Sequence, residues 1–190
     1  MGLLTGKKAL IFGVANDHSI AWGIAQALAR EGATLGFSYA GEKFERRVRP
    51  LAESLGSTFV EPCDVSKDED IDAIVARTRD QFGEVDILVH SIAFANRDDL
   101  SGPYHTVSRA NFALAMDVSV YSFTALARAF LPLMRPGGSM LTLTYLGSVR
   151  AVSHYNVMAC RTTTSWAWPR RRSRQACATW PWTSARTRSI

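Results

Sequence analysis

Four stretches of the chain carry residue types and spacings suited to chemistry. In the first, Gly13-Val14-Ala15-Asn16-Asp17-His18-Ser19-Ile20-Ala21, an apolar run gives way to a helical pattern. Backbone N–H groups and the positive end of the helix dipole at such a junction favour an anion, and Gly13 lets the chain turn sharply beside it, so a pyrophosphate suits the place. The spacing G-x-G-x-x-G is absent, with Ser19 standing where a glycine is common; the plainer reading is an ordinary helix capped by Ser19. The second stretch is Cys63-Asp64-Val65, where Asp64 reads as a cap for the helix that begins near Asp68. The third, His90-Ser91-Ile92-Ala93-Phe94-Ala95, closes an apolar run. In the fourth, Tyr145 and Tyr155 bring phenol hydroxyls able to donate to a developing negative oxygen, and equally read as half-buried core residues with bonded hydroxyls.

The elements that must hold these stretches follow from the hydrophobic pattern. Ala9-Leu10-Ile11-Phe12-Gly13 is continuously apolar, as a parallel strand covered on both faces would be, and a helix pattern runs from Ser19 to Arg30. The alternation repeats: Thr34 to Tyr39 then a helix from Glu42, Thr58 to Val60 then Asp68 to Phe82, Asp86 to Ile92 then a long helical stretch from Val107 to Met134. Ser139 to Thr144 supplies a fifth strand. Strands alternating with helices of this length predict an α/β fold with a Rossmann-type doubly wound parallel sheet, C-terminally incomplete. Three cysteines, Cys63, Cys160 and Cys177, show neither a disulfide framework nor metal-ligand spacing, which suits a reducing cytoplasm. The apolar run before Asn16 is too short for a signal core or a membrane span.

The string from Gly13 through Trp22-Gly23, and with it the pattern across residues 1–158, resembles the divergent short-chain dehydrogenase/reductases to which enoyl-acyl-carrier-protein reductases belong. Ordinary short-chain dehydrogenases carry Asn-Asn-Ala-Gly at the end of the fourth strand; the Ser91-Ile92-Ala93 form and the ten-residue spacing of Tyr145 and Tyr155 match the enoyl reductases. The resemblance implies NADH (NAD+) as cofactor and enoyl-acyl-carrier protein as substrate, with no nucleic acid, membrane or metal involved. It places Gly13, Ser19 and Ile20 at the pyrophosphate, Asp64 and Val65 at the adenine, Ile92 against the nicotinamide half and Ala95 near the acyl thioester. Tyr155 would donate to the thioester oxygen as negative charge develops there, with Tyr145 lining the pocket. Relatives are commonly homotetramers. At the end of the second strand Ala40 departs from the polar residue expected beside the ribose; Lys43 and Arg46 nearby read as solvated helix residues before they read as partners of a 2′-phosphate.

The family pattern continues with a lysine seven residues beyond the second tyrosine, and here that position is Thr162; the Tyr-x3-Lys of ordinary members fails too, at Ala159. No lysine follows Lys67. After Met158 the periodicity stops: Trp166, Trp168, Trp180 and Trp182 crowd around Arg170-Arg171-Arg172, and residues 159–190 hold seven Arg with no acid, leaving the preceding part mildly acidic. Disordered tails are usually poor in aromatics. A shift of reading frame accounts for the change, because Trp has a single codon. Read from its third base, Trp166-Ala167 must encode Gly, Trp168-Pro169 and Trp180-Pro181 Ala, and Trp182-Thr183 Asp, all where an enoyl reductase helix wants them. The expected organisation is therefore a dinucleotide-binding domain over 1–158 and an out-of-frame tail over 159–190 without a native packed place. Two other readings stand beside this one, an ordinary short-chain ketone or aldehyde reductase and a non-catalytic nucleotide-binding module with a basic tail.

Overall fold

The computed structural model describes residues 2–100 and 104–144. Strand β1 is Lys8–Phe12, whose Ala9, Leu10, Ile11 and Phe12 are fully buried. Helix α1, Ile20–Arg30, returns to β2, Thr34–Tyr39; α2, Glu42–Ser54, leads to β3, Phe59–Pro62; α3, Asp68–Arg77, leads to β4, Val85–His90. A helical run of α4, Arg109–Met116, and α5, Ser122–Phe130, then brings the chain to β5, Met134–Thr142. All four strand pairings are parallel, in the order β3-β2-β1-β4-β5. The predicted five-stranded, Rossmann-type sheet is thus present, with β1 and β4 adjacent where the order reverses.

Side chains alternate across a strand, so β1 feeds two cores. Leu10 and Phe12 pack on one face with Phe59, Leu88, Ile74 of α3 and Phe130 of α5. Ala9 and Ile11 pack on the other with Phe37, Val89, Trp22 of α1 and Val48 of α2. The Phe12 and Phe130 rings meet edge to face, centroids 6.0 Å apart, a geometry aromatic pairs favour. By length and composition the run Arg109–Leu133 could also cross a bilayer; here Ala125, Leu126 and Phe130 on one face of it are buried in the core.

Several boundaries differ from the sequence reading. β4 stops at His90 instead of Ile92, and Ser91 onward bends out of the sheet. β5 starts at Met134 rather than Ser139, because Val85 pairs with Met134 while Ile87 pairs with Ser139, and the slack is taken up around Gly137 at φ +80°. The helix expected over 107–134 is broken by a π-helical turn at Asp117–Tyr121; a similar turn, Thr78–Phe82, ends α3. Tyr145, Tyr155, Ala159, Thr162 and the 159–190 segment lie outside the described residues.

At the N-terminal end of the sheet a buried carboxylate gathers three elements. Asp86, 3% exposed, accepts from Lys7 Nζ at 2.8 Å and from the Lys8 amide at 2.9 Å, and lies 3.5 Å from Arg135 Nη1. Burial alone would raise its pKa; the bonds from Lys7 and Lys8 and the charges of Lys7 and Arg135 outweigh it and hold the carboxyl below the usual carboxylate range. A depressed folded-state pKa contributes stability above the unfolded value of about 3.9, which is lost as pH falls through the folded value. Asp86→Asn should therefore lower unfolding stability at pH 7 by roughly 1–3 kcal/mol. Urea titrations at pH 7 and in acid check this, and the gap between the two proteins should narrow at the acid end.

Candidate active-site cleft

Several of the residues singled out in the sequence lie at the C-terminal ends of the strands, where ligands bind in doubly wound sheets. Gly13 follows β1 at φ +97°, a conformation that suits glycine, and a Cβ on it would lie 2.1 Å from the Ser91 carbonyl oxygen. The chain leaving β1 and the chain leaving β4 therefore cross with no space for a side chain. Around this crossing lies a cleft of about 210 Å³, lined on one side by Gly13 and Val14, on another by Asp64 and Val65, and on a third by Ser91 and Ile92. Tyr39 and Ala40 at the end of β2 complete it.

Of the residues singled out in the sequence, Gly13, Asp64, Val65 and Ile92 line this cleft together; Ser19, Ile20 and Ala95 are not in its wall. Ser19 immediately precedes α1, and Ile20, 70% exposed, opens it. Ser19 does not cap the helix with its side chain: its hydroxyl donates to the Asn16 carbonyl at 2.6 Å, and Asn16 Oδ1 accepts from the His18 amide at 3.0 Å. The loop fastens to itself and leaves the first turn of α1 without a side-chain cap, so its amides remain suited to an anion.

Asp64 likewise does not cap the helix ahead. That helix starts after Lys67, with no side-chain cap. Instead Asp64 Oδ1 accepts from the Ser66 amide at 3.1 Å and its hydroxyl at 2.7 Å, an Asx-type turn. Burial opposes ionisation of Asp64, but the two Ser66 bonds and nearby Lys67 prevail and hold its pKa below the usual range. Half-buried beside buried Val65, it offers a charged acceptor on a fixed loop. Neighbouring Cys63 differs: burial first, then the charges of Asp70 and Asp64, push its thiol up to about 12, so it lines the cleft as a small protonated group rather than as a nucleophile.

Three lining residues escaped the sequence reading: Ser38 near the end of β2, Phe44 in the first turn of α2 and Val118 in the π-helical turn. No periodicity marks Val118, because the turn itself displaces it. Lys43 and Arg46 are exposed on α2. A larger hollow of about 660 Å³ lies along Ala113, Met116, Asp117, Val120 and Tyr121, but it involves no residue from a strand end. Among the described residues no group of His, Cys, Asp or Glu is placed to hold a metal ion.

Comparison with known proteins agrees with this geometry. A family model described as enoyl-(acyl carrier protein) reductase matches residues 13–162. The NADH-dependent enoyl-acyl-carrier-protein reductase FabI of Nostoc sp. is 52% identical over 158 residues, covering 82% of this chain and 61% of that protein. The FabI of Escherichia coli K12 is 48% identical, covering 83% and 61%. Among solved structures, the Aquifex aeolicus NADH enoyl-acyl-carrier-protein reductase superposes with a TM-score of 0.83 at 50% identity, covering 85% of this chain and 65% of that one. An enoyl-acyl-carrier-protein reductase from Anaplasma phagocytophilum in complex with NAD gives 0.82 at 45% identity, covering 87% and 65%. The chain thus spans 61% of the length of the first of these curated relatives.

The crossing of Gly13 and Ser91 leads to a test. In Gly13→Ala both the positive φ and the 2.1 Å approach to Ser91 become unfavourable, and the strain should cost about 1–3 kcal/mol or more. Denaturant unfolding measures this. A loss within about 0.5 kcal/mol, the range of an ordinary surface change, would show that the crossing is slack.

Proposed function

The chain belongs to the enoyl-acyl-carrier-protein reductase family of short-chain dehydrogenase/reductases, and from that premise we propose that its cleft is an NADH site built for reduction of a trans-2-enoyl-acyl-carrier protein in fatty acid biosynthesis. The observation that carries the reading is the convergence of Gly13, Asp64, Val65 and Ile92 on one cleft where the strand order reverses. The residues present fit the cofactor. The first turn of α1, uncapped by Ser19, suits the pyrophosphate through the amides around Ile20. Asp64, ionised and fixed by Ser66, suits the exocyclic amine of adenine, with Val65 against the ring. Ile92 offers an apolar wall to the nicotinamide half, and Ala95 follows on the acyl side.

Bound NADH supplies the hydride that reduces the β-carbon of the enoyl thioester. By the family pattern Tyr155 would donate its hydroxyl to the thioester oxygen as negative charge grows there, and Tyr145 would stand beside the substrate. Each tyrosine hydroxyl must be positioned for this, and the family pattern pairs them with a lysine that anchors the nicotinamide ribose and adds positive charge. Here Thr162 stands at that position, and it has no charge to give. We infer that the chain is out of frame beyond Met158 and that this copy, as written, is inactive. The family model's match ends at residue 162, ahead of the tryptophan-rich stretch, and the four residues forced by the tryptophan codons support the same reading. The acyl-carrier protein is the partner expected for the frame-restored enzyme, in the cytoplasm and, by the family habit, as a homotetramer.

Losing the lysine alone should cost on the order of 10²-fold in rate. A side-by-side assay of NADH oxidation with a crotonyl thioester should find the present chain silent and a frame-restored chain active. Equal activity would overturn both the frame inference and the role given to the lysine position. In the restored enzyme NADH should be preferred to NADPH, since neither Lys43 nor Arg46 lines the cleft. A tenfold preference for NADPH in kcat/KM, about 1.4 kcal/mol, would reverse that assignment.

A further inference from the structure

β4 ends on a histidine that is almost wholly buried, 1% exposed, at the point where the chain leaves the sheet to line the cleft. His90 Nε2 lies 2.8 Å from Ser122 Oγ in α5, and its Nδ1 lies 3.1 Å from Thr142 Oγ1, the last residue of β5. The direction of these bonds can be worked out. Ser122 donates its single hydroxyl proton to the Val118 carbonyl at 2.7 Å, so toward the ring its oxygen accepts, and the proton sits on Nε2. In the neutral ring Nδ1 is then a lone pair, to which Thr142 donates. One imidazole thus joins the ends of β4 and β5 to the helix beneath them.

A second serine one helical turn earlier repeats the grip on the same loop. Ser119 Oγ accepts the Phe94 amide at 2.9 Å and reaches the Phe94 carbonyl at 3.1 Å. Positions three apart on a helix share a face, and the π-helical turn at Asp117–Tyr121 sets that face against the loop while Val118 joins the cleft wall. The segment from His90 to Phe94 is held at both ends, with Ile92 between. An apolar side chain would fill the same volume without needing partners; a fully bonded buried polar group instead specifies one geometry.

We propose that His90 is a positioning residue, a strut carrying its proton on Nε2 that sets the nicotinamide side of the cleft through Ser122 and Thr142. This rests on the cleft being the NADH site. The sheet order separates the two ends of that site: the adenine side lies at β3, and β2 and β1 stand between it and β4. A fault in the strut should therefore weaken binding of a whole dinucleotide and spare its adenosine half.

The test uses the 190-residue chain, titrated with NADH and separately with AMP. Thr142→Val and Ser122→Ala should each weaken NADH by about tenfold and AMP by less than about twofold, and Thr142→Ser, which keeps the donor, should restore NADH binding. Nitrogen-15 spectra of the unaltered chain should show the His90 proton on Nε2. NADH and AMP weakened in proportion, or no change in either, would overturn the positioning role while leaving the cleft reading intact; so would a proton on Nδ1. An unaltered chain that binds neither nucleotide would bring down the cleft reading and the functional role with it, and the spectrum would then decide only whether the strut exists.

Discussion

The crossing of two backbones governs this fold's working end. Where β1 gives way to the α1 loop, Gly13 passes the Ser91 carbonyl so closely that the smallest side chain would collide with it. That approach is possible because β1 and β4 are direct neighbours in register, Phe12 opposite His90, and because the Ser91 amide donates to the Phe12 carbonyl at 2.9 Å. The α1 loop turns away on one side and the 91–96 loop on the other. The space opened between them is the cleft, so its floor is backbone and its chemistry comes from the loops that border it.

The two ends of the sheet use polar groups differently. At the N-terminal end, Asp86 binds Lys7, the Lys8 amide and Arg135 through charge, with Lys7 half in solvent. At the C-terminal end, the corresponding link joins His90 of β4 to Thr142 of β5 and to Ser122 of α5 through imidazole and hydroxyl groups. A charge-based junction tolerates small displacements, because attraction falls slowly with distance. Hydroxyl and imidazole hydrogen bonds weaken steeply with angle. The stricter geometry occurs beside the cleft, and the looser one where strands need only be held.

Much of this was legible in the sequence because it was encoded locally. Five apolar runs alternating with helical patterns marked five strands, and β2 came out at Thr34–Tyr39 as expected. Gly13 was singled out from the strand-to-helix turn, and Asp64, Val65 and Ile92 from the family resemblance; all four line one cleft, each at or just beyond a strand end. What escaped depended on contacts distant in sequence. The two capping assignments failed: Ser19 turned back to Asn16, and Asp64 turned forward to Ser66. Propensity marks such residues as helix starts, yet cannot say which backbone group their side chains will choose. The helical pattern to Met134 and the strand from Ser139 left residues 135–138 unassigned, but the pairing of Met134 with Val85 draws them into β5. His90, Ser122 and Thr142 are separated by 32 and 52 residues in their bonded pairs, beyond any local pattern.

The π-helical turn at Asp117–Tyr121 also determines how this stretch of chain can change its length. Such a turn amounts to one residue added to a regular helix. The turn holds its added residue as a local widening, so the helix on either side keeps its phase. Removing one residue there would return the stretch to regular bonding, with Ala125, Leu126 and Phe130 still in the core they share with Phe12 and Leu88. What would be lost is the widening that brings Val118 to the cleft wall and Ser119 to Phe94. Across descendants of this sequence, loss of a residue between Met116 and Phe123 should therefore spare the sheet and be felt in the cleft.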